Sequence, residues 1–222
     1  MPAFPQTAGW GGLKFFGRIS ASISHELKNA LSIVNENAGL LEDLALLADS
    51  KGGLDIERVK ALSASIGRQV KRADNIIRNM NKFAHTVDFE IKTFDLQEYL
   101  ELTAAVSARL LAAKSMTLKV IPAGQQVSLT TSPFFLLYLI WHLLDCCSQW
   151  PGPEKSLDVS FSRDGGVISI CFKGCMTQEP GFMTQVMDGD SQALLTLLGA
   201  NIAPGTRPHE MEVHIPETPP GV

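Results

Sequence analysis

The chain lacks any apolar run of the roughly 20 residues that a membrane-spanning helix requires. Its longest such stretch, Phe134 to Leu144, suits a buried helix better. It also lacks a strong charge of either sign: the net charge of -4 is mild and argues against a nucleic-acid binder, which usually carries a basic excess. The N-terminus lacks the basic-then-apolar order of a secretory leader. Cysteine is scarce and bunched at Cys146, Cys147, Cys171 and Cys175, which is not the framework of a disulfide-stapled secreted domain. No internal repeat or low-complexity tract interrupts it. These absences point to a cytoplasmic protein with no membrane anchor and no sensor domain of its own.

What is present is ordinary globular material. Hydrophobic residues make up 45% and charged residues 19%, too apolar for a disordered chain. At 222 residues there is room for one large domain or two small ones.

Residues 1 to 12 are rich in Gly and Pro and read as a flexible N-terminus. From Leu13 to Ala48 there is no Pro. Ile23, Leu27, Ala30, Val34, Ala38, Leu41, Ala45 and Ala48 repeat at the 4-3 spacing of a helix packed along a bundle seam. Asp49 to Gly53 reads as a turn. A second helix over 54–85 carries Ile56, Val59, Leu62, Ile66, Val70, Ala73, Ile77 and Met80 on one face, and Arg58, Lys60, Arg68, Lys71, Arg72 and Arg78 on the other. Two long helices and a short turn make an antiparallel hairpin. One hairpin leaves much apolar surface wet, and pairing two into a four-helix bundle covers it, so a homodimer is predicted.

Beyond residue 90 the texture changes. Helices are expected over 96–113, 133–149 and 191–198, and strands over 117–121, 127–130, 157–163, 167–173 and 211–215, with Asp164-Gly165-Gly166 as a hairpin turn. The expected fold class is α+β. A helical hairpin over 13–90 precedes an α/β sandwich over 91–222 with helices on one face of a sheet.

The strongest local signal is Ile23-Ser24-His25-Glu26-Leu27-Lys28-Asn29. At about 100° per residue the apolar seam centres opposite His25, so its imidazole points to solvent from the middle of a rigid helix. Asn29, one turn on, shares that face. A neutral imidazole can accept a phosphoryl group and release it to a carboxylate. A side-chain amide beside it can position water for in-line attack, and Glu26 can accept a proton or orient the ring. Alone, a His-Glu-x-x-Asn pentad is common by chance and describes an ordinary solvated helix face.

The context is more specific. Ser24-His25-Glu26-Leu27-Lys28-Asn29-Ala30-Leu31 resembles the H-box of histidine kinases, Ser-His-Glu-hydrophobic-basic-Thr/Asn-Pro-Leu, departing only where Ala30 replaces the proline. That departure removes a kink and implies a straighter helix. The resemblance continues through the second helix and Thr93-Phe94-Asp95-Leu96, a phrase that commonly opens the kinase's catalytic domain, and it covers nearly the whole chain. It implies that His25 is the phosphoacceptor, Glu26 the acidic neighbour and Asn29 an aid to dephosphorylation of a partner.

The order of elements after residue 94 resembles the family's ATP-binding domain, but its motifs are degenerate. Where the family has Asn-Leu-Leu-x-Asn-Ala, this chain has His142-Leu143-Leu144-Asp145-Cys146-Cys147, which puts Cys146 at the magnesium ligand. A thiol is a poor ligand for a hard cation. Where the family has Asp-x-Gly-x-Gly, Phe172 stands at the adenine-binding carboxylate and Gly174 is the one glycine left. The glycine-rich segment along the phosphates matches Gly189-Asp190-Ser191-Gln192-Ala193, with two glycines gone and a carboxylate near where polyphosphate would lie.

The resulting expectation is a histidine phosphotransfer protein of a two-component phosphorelay, exchanging phosphate with response-regulator receiver domains or a partner histidine kinase. No cofactor and no metal are expected. ATP and magnesium enter only in the alternative, a sensor kinase with divergent motifs, which an open polar cavity under the helix at 133–149 would favour. A non-catalytic kinase-interacting module is the third reading. His142, Cys146, Cys171 and Cys175 could gather around a soft metal, although cysteine more often serves as a small buried hydrophobe.

Overall fold

The computed structural model describes residues 6–51 and 53–219. The chain is α+β: a long helical hairpin is followed by a mixed sheet with helices. Among the described residues no helix is long and apolar enough to cross a membrane.

Helix α1 runs unbroken from Gln6 to Lys51 and α2 from Ile56 to Ala84. The helix continues through Ala30, where the proline of the resembled motif would have removed a backbone hydrogen bond. Two expectations are corrected here. Residues 6–12 are helical, not loose; residues 1–5 lie outside the described ones. Asp49, Ser50 and Lys51 complete α1 rather than turning, Gly52 lies outside the described residues, and the chain is non-helical only over 53–55.

By compactness, the described residues 20–82 (apart from residue 52) form one unit, and residues 6–19 together with 83–219 form the other, instead of a division at residue 90. The hairpin unit is pinned internally at Asn37. Its Nδ2 donates to the Ile33 carbonyl oxygen at 2.7 Å and to Ser65 Oγ on α2 at 3.2 Å.

In the other unit a short 3-10 turn, His85–Asp88, leads to β1 (Lys92–Asp95), α3 (Leu96–Ala113), β2 (Thr117–Val120), β3 (Ser128–Thr131) and α4 (Pro133–Gln149). Then follow β4 (Ser156–Asp164), β5 (Val167–Lys173), α5 (Phe182–Val186), α6 (Gly189–Leu198), β6 (Asn201–Pro204) and β7 (Glu210–Pro216). Strands β1 and β3 form an antiparallel pair. The main sheet runs β2-β4-β5-β7-β6, parallel only between β2 and β4.

Gly165 and Gly166, both at positive φ, make the tight β4–β5 turn that matches the strands' twist. Leu157, Val159 and Phe161 on β4, and Ile168, Ile170 and Phe172 on β5, point to the buried face; the residues between them are more accessible. Helix α4 is apolar nearly all round and mostly buried. Asp95 caps α3 and Asp188 caps α6, each carboxylate accepting from a first-turn N–H at 2.9 Å. Strands β1 and β6 and helix α5 were not anticipated.

Candidate functional site

The hairpin carries His25, Glu26 and Asn29 on α1. His25 and Asn29 are exposed, one turn apart on the same face, and Glu26 is half-buried; Ile23 and Ala30, on the far side, are buried. Among the described residues none makes a hydrogen bond or ion pair with the side chain of His25, Glu26 or Asn29, so the imidazole is accessible to an incoming group. Beside it on α1, Ser24, Leu27, Lys28, Leu31, Ser32 and Asn35 line a shallow depression of about 420 Å³. Chemically this is an accessible imidazole on a continuous helix with a side-chain amide one turn away, an arrangement that could act as a nucleophile.

The second region is a mainly polar cavity of about 290 Å³ beside α4. Its α4 wall is Tyr138, Trp141, His142, Asp145, Cys146 and Gln149. Gln185, Asp188 and Asp190 close one side. The remaining wall is the first part of α1: Gly11, Lys14, Phe15 and Arg18. Sequence reasoning missed that last wall. The signal was there in Gly11, Phe15 and Ile19, four residues apart on one helical face, but only if the Gly-rich start is allowed to be a helix.

The groups around this cavity are largely committed to one another. Tyr138 Oη donates to Asp190 Oδ2 at 2.9 Å. Asp145 accepts from Lys114 Nζ at 2.9 Å and from Gln149 at 3.4 Å. His142 Nε2 lies 3.5 Å from Cys146 Sγ and 3.6 Å from Asp188 Oδ1. Burial, reinforced by the charges of Asp145 and Asp188, pushes the Cys146 thiol up to about 12. It stays protonated at neutral pH, and a neutral thiol neither attacks as a nucleophile nor binds a hard cation.

The degenerate motif positions are not gathered at the cavity. Cys146 lines it, and Gly189 opens α6 between two of its carboxylates. Phe172 is instead fully buried in the sheet core opposite Val159. Gly174, at φ 108°, serves the backbone where the chain leaves β5.

The four-residue sulfur and imidazole group does not converge either. Cys147 shares a hydrogen bond with Cys175; that bond and burial push the Cys147 thiol well up. Burial, with Glu210 and Glu212 nearby, pushes Cys171 up to about 11, and its thiol bonds to Ser160. Among the described residues no three His, Cys, Asp or Glu side chains are placed to hold a metal ion.

No protein-family model matches the chain, and no curated protein does either. Among solved structures it is similar to the histidine kinase AdeS of Acinetobacter baumannii at 13% identity and a TM-score of 0.44, covering 88% of this chain and 98% of that one. It is also similar to the catalytic domain of the histidine kinase ThkA at 11% identity and a TM-score of 0.46, covering 59% and 99%. A third neighbour is the cytoplasmic segment of the histidine kinase QseC, at 13% identity and a TM-score of 0.41, covering 66% and 93%. The structural neighbours are thus histidine kinases, at identities and scores too low to assign a function, which has to come from this chain's own residues.

Proposed function

We propose that this protein is a cytoplasmic, homodimeric histidine phosphotransfer protein of a two-component phosphorelay. His25 accepts a phosphoryl group from a phospho-aspartate receiver domain, or from a partner kinase, and returns it to another receiver's aspartate. The observation that carries this reading is the exposed His25 imidazole, without a hydrogen-bond or ion-pair partner among the described residues, on a continuous helix with Asn29 one turn away. In the forward step the Nε2 or Nδ1 lone pair attacks phosphorus, the bond to the aspartyl oxygen breaks, and that carboxylate leaves with its electron pair; the reverse step regenerates the neutral ring. Glu26 is proposed to orient the ring or take its proton, and Asn29 to aim water at a partner's phospho-aspartate. The basic face of α2 would draw in an acidic receiver.

Dimerisation is proposed from the hairpin's exposed apolar side chains, among them Leu31, Ile56, Val70 and Ile77. The α+β unit would serve as a docking platform without nucleotide chemistry.

The test is to mix the purified chain with a receiver carrying labelled phosphate on its aspartate. Transfer predicts acid-labile, alkali-stable label on His25. Label released only as inorganic phosphate, with none ever on the chain, would overturn it.

A second reading, the ATP-dependent histidine kinase with divergent motifs, draws on one observation: the cavity beside α4 is polar. Labelled ATP with magnesium separates the two. The kinase predicts label on His25 without any partner, and the relay predicts none.

A further inference from the structure

The first turns of α1 do more than begin a helix. Gly11 and Gly12 bring the α1 backbone close to its neighbours. A Cβ at Gly11 would lie 2.6 Å from Tyr138 Oη and 2.8 Å from Asp190 Oδ2, and one at Gly12 would lie 3.0 Å from a Phe134 ring carbon. One turn on, Phe15 is 1% exposed. Its ring stacks on Tyr138 at 4.9 Å between centroids and lies 5.2 Å from Trp141, 5.5 Å from Phe83 and 5.6 Å from Phe134. Ile19, a further turn along, is also buried.

The charges match as well. Lys14 and Arg18, on the same stretch of α1, line the cavity opposite Asp145, Asp188 and Asp190, and among the described residues neither cation has an ion-pair partner of its own. The Arg18 guanidinium sits over the Trp141 ring at 5.9 Å. Close backbone approach, an aromatic anchor and complementary charge are three independent features of a fitted interface.

We propose that the cleft formed by α4 and the start of α6 is a helix-docking groove whose built-in occupant is the Gly11–Ile19 segment of α1, which keeps nucleotides out. Residues that would cradle phosphates in an ATP site here receive a basic helix. The carboxylates beside Gly189, unsuited to polyphosphate, suit Lys14 and Arg18. The 290 Å³ that remains is the gap left between occupant and groove, not the groove itself. This proposal stands apart from the relay reading, because it is read from exchange rates and nucleotide binding rather than from phosphoryl transfer.

The experiment is amide hydrogen exchange on the full chain, with titration of a fluorescent trinitrophenyl-ATP and magnesium alongside. In the unaltered protein, amides from Leu13 to Ile19 should exchange as slowly as those of α4, and the analogue should not bind. Gly11→Ala should speed exchange over that segment by about tenfold or more while β4, β5 and β7 stay protected. Adding Tyr138→Phe, which removes the hydroxyl nearest the new methyl, should recover part of that protection. Should Gly11→Ala not fold, Arg18→Glu should loosen the same segment, more so at low salt. Fast exchange of residues 13–19 in the unaltered protein, wild-type exchange in Gly11→Ala or in Arg18→Glu, no recovery with Tyr138→Phe, or ATP-displaceable binding of the analogue to the unaltered chain would each overturn the proposal.

Discussion

The two units of this chain solve the problem of burial in opposite ways. In the α+β unit whole layers are removed from water: Leu136, Leu139 and Leu143 on α4, Ile168, Ile170 and Phe172 on β5, and Val213 and Ile215 on β7. In the hairpin, over residues 20–82, the buried apolar side chains among the described ones are Ile23, Ala30, Leu44 and Ala73. Leu46 is 70% exposed and Val70 54%. Since apolar burial contributes about 25 cal/mol per Å², the first unit gains far more from its core than the hairpin does from its own. On the proposed reading the difference would divide the roles: the region with the incomplete core displays the exposed His25 and would meet partners, and the region with the complete core would act as scaffold.

The sharpest way to break that division is to put a lesion in each unit and follow phosphoryl transfer. His25→Gln should abolish label uptake from a phosphorylated receiver while shifting Tm by no more than about a degree, since the side chain is exposed and has no bonding partner among the described residues. Cys146→Ala, in the cleft of the other unit, should leave uptake within about twofold of wild type, the range expected for a residue that touches no reacting group. Radiolabel transfer and calorimetry on both variants would check this. If Cys146→Ala silenced transfer as completely as His25→Gln, the scaffold role of the second unit would be wrong.

Stability should show the reverse ranking. Phe172→Ala empties a fully enclosed site between sheet and helices and should cost about 3–5 kcal/mol in urea unfolding. Val59→Ala in the half-buried hairpin seam should cost less than half of that.

Periodicity carried much of this into view beforehand. Helices α3 and α4 and strand β5 fall at the residues where their patterns place them, because each is a run of one period bounded by turn or capping residues. The exposure of His25 follows from the phase of the α1 seam. The beginning of α1 was illegible, because Gly9, Gly11 and Gly12 lower local helix propensity. Gly11 and Gly12 pack there against Tyr138 and Phe134, more than 120 residues away in sequence. For the same reason Lys14 and Arg18 could not be seen as walls of a cleft. Strands β1 and β6, four residues each, are too short to show alternation. The position of Phe172 illustrates the limit of motif matching: the match places it at an adenine site, whereas strand alternation, also readable, places it in the core. The hairpin's stripe was legible as apolar, but one copy cannot cover Val70 and Ile77, and both remain in water.

That uncovered stripe is the place to sharpen the comparison. Val70 and Ile77 lie two turns apart on α2, so Val70→Asp with Ile77→Asp sets two carboxylates on one face. Sedimentation should show the dimer dissociation constant rising by about a hundredfold or more, with the circular dichroism of the α+β unit unchanged. An unaltered sedimentation profile would remove the dimer from the account.

A smaller effect separates the units by pH. The Cys146 thiol is held up to about 12 by burial, against an ordinary value of 9.0. The unfolded chain therefore binds fewer protons than the folded one between those values, and this group's contribution, fully present below pH 9, is lost as pH rises toward 12. Denaturant unfolding across that window should show a shallower decline in Cys146→Ala than in wild type. Equal slopes would mean the thiol is not buried as described.

The smallest change tests the hairpin's own specificity. Asn37 is half-buried and spends its amide on the Ile33 carbonyl and on Ser65 across the helix pair. Asn37→Ala deletes both bonds and leaves Ser65 and one carbonyl to water that can still reach them, so the cost should be only about 1 kcal/mol. Asn37→Leu would regain that in apolar burial but remove the side-chain hydrogen bond to Ser65 that, among the described residues, ties this register of α1 to α2, much as a single buried amide does in a coiled coil. If the amide sets register, the leucine variant should unfold at the same or higher denaturant yet transfer phosphate more slowly, because a slipped helix carries His25 away from its place relative to α2. Equal transfer rates in the two variants would reduce Asn37 to an ordinary hydrogen bond.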